Sequence, residues 1–402
     1  MFINFRLTGL LGITVLYGAA AYGNSKTPGP LTLEWVVEQA KAQSPKIAVS
    51  RAKWEASIEE IPQVSSLGDP SLYTMFHAVP HNTANPFSAR EIWLGVKQRF
   101  PYPGKLSLKG EIASKTADVA YEGLQVAEEE VVYQAKKAYF DLYLIHKELE
   151  ITAGHVELAR EFSQIAESKY VSGKGTQISV LKALIEVSHL SNQLLVLGQR
   201  SQRIGAQLNT LLNRGTRAPL GEPAELPLTP LTHTLDQLQQ GALQYRPELR
   251  SSRVEVLRSD AAIRLAKKEY YPDLAADLSY WTVRNHQNQW QLMVEASFPI
   301  AFWSRDRLDA RERQAKIQRK ESEAALEDLE RKISFEVEAA FVAVQEASIT
   351  ADHYRRVMIP QARQAVETIR AAYRTDRDNF LNLLDSERNL LQYELDFHRV
   401  RV

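Results

Sequence analysis

The 402-residue chain contains no cysteine, which excludes disulfides, thiolate nucleophiles and cysteine-ligated metal sites together. It has no excess of either charge, with 49 basic and 49 acidic residues. It therefore lacks the basic surplus that a nucleic-acid binder normally carries. Beyond the first two dozen residues no stretch reads as an apolar transmembrane helix, so a membrane segment further on would have to be made of strands. Proline is missing between Pro103 and Pro219, and from Arg305 onward only Pro360 occurs. Intervals of that length permit helices far longer than a small globule can fold back on itself. A phosphate-binding glycine loop, a Ser-His-Asp order and any dinucleotide fingerprint are also missing, which leaves enzyme function and a cofactor without a basis.

The N-terminus has the composition of a secretory signal. Arg6 supplies the positive charge, Leu7 to Ala21 form an apolar stretch, and Ala21-Tyr22-Gly23 closes it with small residues at cleavage-site spacing. The apolar stretch is too short for a span of about 20 residues.

Behind it the proline punctuation repeats. Pro45 and Pro247 share an offset with Pro70 and Pro272, and Phe100-Pro101 recurs as Phe298-Pro299. Tyr139 answers Phe341, and Tyr170 answers Tyr373. A period of this length marks a duplicated domain rather than a solenoid. The expected division is 1–23 signal peptide, 24–30 extension, 31–214 first repeat, 215–233 linker and 234–402 second repeat.

Each half opens with a helical stretch, Leu33 to Ile61 or Thr234 to Lys268, stopped by Pro70 or Pro272. Strand-like segments follow at about 71–79, 91–100, 274–283 and 289–298. The last alternates best, with Trp290, Leu292, Val294, Ala296 and Phe298 on one face and Gln291, Glu295 and Ser297 on the other. In the second, Ile92, Leu94 and Val96 oppose Lys97 and Arg99. These lengths suit a tilted strand crossing a bilayer. Long helical stretches come next. Tyr170 to Thr176 breaks the first with Gly173 and Gly175, and Arg374 to Asn379 breaks the second without glycine. Leu194, Leu197, Ser201, Ile204, Leu208 and Leu211 step by three and four, the seam of a coiled coil.

Four strands cannot close a barrel, and an open edge cannot face lipid with its backbone unpaired. Three copies would supply twelve strands, an even number within the range of bacterial barrels. The expected fold is mainly α with a small β part. It is a duplicated helix–β-hairpin–long helical hairpin whose trimer closes a 12-strand outer-membrane barrel continued by a periplasmic helical barrel.

On these residues the chain resembles the TolC-type outer-membrane efflux family. The resemblance is carried by Leu31-Thr32-Leu33 with Ser44-Pro45, by Tyr245-Arg246-Pro247-Glu248-Leu249, by Phe100-Pro101-Tyr102-Pro103-Gly104-Lys105, and by the two tips, Tyr170 to Ala183 and Tyr373 to Ser386. The Pro-Gly-Lys and the stretch ending at Arg388 look most like the heavy-metal (CzcC/CusC-like) branch. The resemblance implies a homotrimer in the outer membrane of a Gram-negative bacterium that extends into the periplasm. It also implies a periplasmic adaptor and an inner-membrane pump of the RND type as partners, with heavy-metal cations as cargo.

By the same resemblance the pore constriction falls at Asp385, Asn382 and Ser179. The family has a second carboxylate where Asn382 stands and an aspartate where Ser179 stands. Asp378 occupies the place of the arginine that would pair with it, so the family's closed-state salt bridge is absent in that form. Three Asp385 side chains around an axis would attract cations. The plainer alternative is an exposed carboxylate near a helix N-terminus, favourable with the dipole and otherwise inert. Gly173, Lys174, Gly175 and Thr176, with Asp376, Arg377 and Asp378, are the expected adaptor-contacting tips, or simply solvated turns. Trp93, Tyr280, Trp281 and Trp290 are expected at the bilayer interface as an aromatic girdle. The nine histidines include His77 and His81, four apart but separated by Pro80, and suggest no metal site. A different reading is a periplasmic coiled-coil adaptor or scaffold, against which the duplication speaks. A further alternative is a duct for drugs rather than metals.

Overall fold

The computed structural model describes residues 29–81, 83–225, 231–283, 287–299 and 302–402. The signal peptide expected at 1–23 lies outside these residues.

Helix α1 (Leu33–Gln43) is capped by the Thr32 hydroxyl, which accepts from Trp35 N at 3.3 Å. It ends at Ser44, and α2 (Pro45–Ser65) starts afresh. Where one opening helix was expected there are two. Proline disfavours helical backbone in the residue before it, and Ser44 accordingly has ψ 119°. The second half behaves in the same way. Thr234 and Gln237 cap α5 (Leu235–Tyr245) reciprocally, Arg246 is extended at ψ 125°, and α6 (Pro247–Lys268) follows.

Strands β1 (Ser71–His77), β2 (Glu91–Phe100), β3 (Asp273–Val283) and β4 (Gln289–Ser297) form one antiparallel sheet in the order β1-β2-β3-β4. Strand β1 stops short of the expected residue 79, since Ala78 has a left-handed φ of 57°. The register puts Leu72, Val96, Leu278 and Leu292 in one row, and Ser71, Lys97, Asp277 and Met293 in the next. One face is therefore apolar and the other polar. On the apolar face Leu72, Leu94, Leu278, Trp290, Leu292 and Val294 are exposed.

On the polar face Lys97 pairs with Glu295 at 2.7 Å across β3. The Tyr73 ring lies over Gly95 and donates its hydroxyl to Asp277 Oδ1 at 2.8 Å. A Cβ at Gly95 would fall 2.4 Å from that ring, so glycine is required for the tyrosine to cross β2.

From the sheet run the long helices. Helix α3 (Lys105–Val171) has 67 residues, about 100 Å at 1.5 Å per residue. It starts at Gly104, whose φ is 91°. Its buried face includes Ala113, Ala117, Leu124, Ala127, Val131, Ala135 and Ala138 at spacings of three, four and seven residues, and α2 and α6 lie against this helix. Helix α4 (Gln177–Leu211) returns along α3 and buries Leu190, Leu197, Ile204 and Leu208. It is long and apolar enough to cross a membrane by length and composition, contrary to expectation. Its apolar residues serve two faces, one against α3 and another carrying exposed Ile178, Leu181, Leu184 and Ile185.

The second half has α7 (Phe302–His353), a π-helical turn at Tyr354–Met358, α8 (Ile359–Arg374) and α9 (Phe380–Arg401). The π turn sits just before Pro360, which has no N–H to continue the α ladder. Helix, hairpin and helical hairpin thus occur twice.

Candidate functional site

The two helical turns at the far end from the sheet correspond in detail along the sequence. Tyr170 and Tyr373 precede them, and the left-handed residue is Gly173 at φ 75° in one and Asp376 at φ 60° in the other. Thr176 and Asn379 are the caps of the outgoing helices. The Thr176 hydroxyl accepts from Ser179 N at 3.2 Å and the Asn379 side chain from Asn382 N at 2.9 Å. In the first tip Gly175 is needed for closeness, since a Cβ there would meet Tyr170 N at 2.9 Å.

A common core of Phe162, Ala166, Ala183, Val366, Tyr373, Phe380, Leu383 and Leu384 joins the tips. Above it Lys169 forms an ion pair with Asp376, and its Nζ lies 4.7 Å from the Tyr373 ring centroid. The Lys169 hydrogen bond is the main cause holding the Asp376 carboxyl below its ordinary range. All seven expected tip residues lie in these two neighbouring turns, and Arg377 closes the second through its backbone N–H to Ala372 O at 2.9 Å.

The expected constriction residues part company. Asp378 Oδ1 accepts from Asn379 N and from Asn382 Nδ2, both at 2.7 Å, which turns the Asn382 side chain back along its own helix. Ser179 is engaged with Thr176 at 2.9 Å. Asp385 is exposed and lies at the side of α9 with Asn382 and Asn389, along a shallow groove shared with Gln361, Ala365 and Tyr393 of the neighbouring turns.

Above the tips a ladder of charged contacts links the two halves, and nothing in the local sequence announces it. Buried Glu186 receives Arg388, with Nε at 3.1 Å. Glu161 takes Arg374 at 2.8 Å and Arg370 at 3.4 Å. His155 Nδ1 meets Glu387 at 2.7 Å and its Nε2 meets Glu394 at 3.1 Å. Glu394 also binds Arg363 at 2.8 Å. Buried Glu148 receives Arg399 at 2.9 Å. Burial alone would lower the basicity of His155, but the two carboxylates outweigh it and push its pKa up to about 9. The contacts hold packed helices together and position no group for covalent chemistry.

At the sheet the four expected girdle aromatics divide between opposite faces. Tyr280 and Trp290 lie on the apolar face with ring centroids 4.8 Å apart. Trp93 and Trp281 pair directly across β2 and β3 on the polar face, stacked at 4.3 Å and 17°. Their phase, shared with Gly95 and Lys97, puts them away from the surface expected of a girdle. Among the described residues no group of three or more His, Cys, Asp or Glu side chains is placed to hold a metal ion.

Comparison with known proteins places this geometry. The model of the outer membrane efflux protein family matches residues 238–401. A cobalt-zinc-cadmium resistance protein, CzcC of Cupriavidus metallidurans, is 22% identical over 374 residues, covering 92% of this chain and 86% of that protein. The outer membrane protein VceC of Vibrio cholerae superposes with a TM-score of 0.78 at 17% identity, covering 92% of each chain. CusC, described in terms of folding and transmembrane channel formation, gives 0.78 at 16% identity over 92% of this chain and 88% of that one.

Proposed function

We propose that the chain, whose residues 238–401 match the outer membrane efflux protein family and which is similar to CzcC over 92% of its length, works as a homotrimeric exit duct for heavy-metal cations. The observation that carries the trimer is the sheet. Strands β1 and β4 are both edges, and the face that would meet lipid is already apolar. Unpaired strand edges are intolerable in hydrocarbon, and three copies edge to edge leave none. The exposed apolar face of α4 is then covered by a neighbouring copy in the helical barrel. A coiled-coil adaptor would have no use for an amphipathic sheet ending in such edges.

A duct of this kind performs no catalysis and is driven from elsewhere. The tips, from Gly173 to Thr176 and from Asp376 to Asp378, offer polar turns for a periplasmic adaptor, which would join the duct to an inner-membrane pump of the RND type. At the same end Asp385 projects as a ring of three carboxylates that favours cations. Asn382, tied to Asp378, and Ser179 line the approach without adding charge. Metal cargo is supported by similarity to a protein named for cobalt, zinc and cadmium resistance.

Two measurements test the reading. The detergent-extracted protein should run at three times the chain mass, and a soluble monomer would refute the duct. Deleting the gene should sensitise cells to cobalt, zinc or cadmium; lost drug tolerance with unchanged metal tolerance would replace the cargo.

A further inference from the structure

The strand ends distinguish the two mouths of the barrel. At one end each strand joins a helix. At the other, β1 joins β2 and β3 joins β4 through residues 78–90 and 284–288. With the helices in the periplasm, the linked ends of the strands face the exterior. Trp93 lies two residues inside the first residue of β2, and Trp281 two residues inside the last residue of β3. That is about 7 Å below the outer rim at 3.3 Å per residue.

Their face is that of Lys97, Arg99, Asp273, Asp277, Gln291 and Glu295, so the stack is lumenal. Met75 and Gln289 flank it in the same row. Two rows further out, on the same face, Glu91 accepts from Trp93 Nε1 at 3.3 Å and lies 3.6 Å from His77. Trp93 and Trp281 are both half-buried, so part of each ring meets the channel.

We propose that Trp93 and Trp281 form an aromatic collar inside the outer mouth, a second selectivity element for cations. The inference rests on the trimeric reading above, in which three stacks are spaced around the lumen. The indole faces are electron-rich and attract cations, and the Glu91 carboxylate adds negative charge beside them. The collar therefore acts in the same sense as the Asp385 ring at the opposite end.

The test uses the full-length protein in planar bilayers, with potassium and caesium chloride gradients. The double variant Trp93→Leu/Trp281→Leu should raise conductance and lower the cation-to-anion permeability ratio by about twofold or more. Trp93→Phe/Trp281→Phe, which keeps the aromatic faces, should stay near wild type. Unchanged conductance and selectivity in the leucine variant would overturn the collar. Brominated lipids supply a second readout that does not need an intact leucine variant. Their quenching of tryptophan fluorescence should fall in Trp290→Phe and persist in Trp93→Phe/Trp281→Phe; the reverse pattern would put the stack in lipid and overturn the proposal. A wild-type protein that forms no channel would instead refute the duct itself.

Discussion

His155 and Glu387, 232 residues apart in the chain, share a 2.7 Å hydrogen bond at a point where the Glu387 side chain has no exposure to solvent. The bond ties the first long helix to the last one. Its pH dependence follows from the two partners of the imidazole. The His155 pKa is raised from 6.5 to about 9, so its contribution is complete below 6.5 and lost as pH rises through 9. Burial favours the neutral form of Glu394, but the bonds from His155 and Arg363 dominate and lower its pKa from 4.5. That contribution is complete above 4.5 and lost as pH falls through the lowered value. Thermal stability should therefore plateau between about 4.5 and 6.5 and decline toward pH 9, by roughly 3 kcal/mol at 1.36 kcal/mol per pKa unit. Melting curves of wild type and His155→Gln between pH 5 and 10 check this, with the alkaline decline absent in the variant.

The tip ion pair should restrain the periplasmic end. Asp376→Asn removes the charge while keeping a residue that tolerates the left-handed backbone. Conductance should rise in this variant and in Lys169→Gln. The double variant should be no more open than the singles, since both remove one contact. Additive increases in single-channel recordings would count against a shared restraint.

How much of the fold and of the tips is legible in the sequence depends on the range of each signal. The strand Gln289–Ser297 stands in the sequence as plain alternation, and the tips as a glycine turn and a charged turn. The helix breaks at Ser44 and Arg246 do not show in the apolar spacing, which continues across them; only the following prolines carry the signal. Residue type alone assigns Trp93 and Trp281 to a lipid girdle. Phase adds a second signal: Trp93 shares its face with Lys97 and Arg99, a parity that the spacing of these residues along β2 already contains. The contacts of His155 with Glu387 and of Lys169 with Asp376 have no local pattern at all. They arise when two helical hairpins are laid side by side, which only the tertiary arrangement specifies.

Asp385 and Asn382 make a discriminating pair of substitutions. Asp385 is exposed along the α9 groove, whereas the Asn382 amide is engaged with Asp378. Asp385→Asn should reduce cation preference, read as a shift of the reversal potential in a salt gradient. Asn382→Ala should leave it nearly unchanged. Equal effects would mean that the amide, and not the carboxylate alone, faces the permeating ion.

The crossing of Tyr73 over Gly95 gives the sheet a point of high sensitivity. Gly95→Ala would place a methyl group 2.4 Å from the tyrosine ring, closer than any contact can relax without moving the ring. Displacing the ring breaks the 2.8 Å bond to Asp277 and leaves that carboxylate unpaired inside the sheet. Overpacking of this kind costs about 1–3 kcal/mol, and it falls on strands that must also pair between copies. Gly95→Ala should therefore lower the temperature at which the assembled protein dissociates on a semi-native gel. Tyr73→Ala alone should be milder, because it removes the collision partner together with the bond. In the double variant the added methyl has space, so its loss should be well below the sum of the two singles. A fully additive double variant would show that the ring can swing away from Gly95 at no cost.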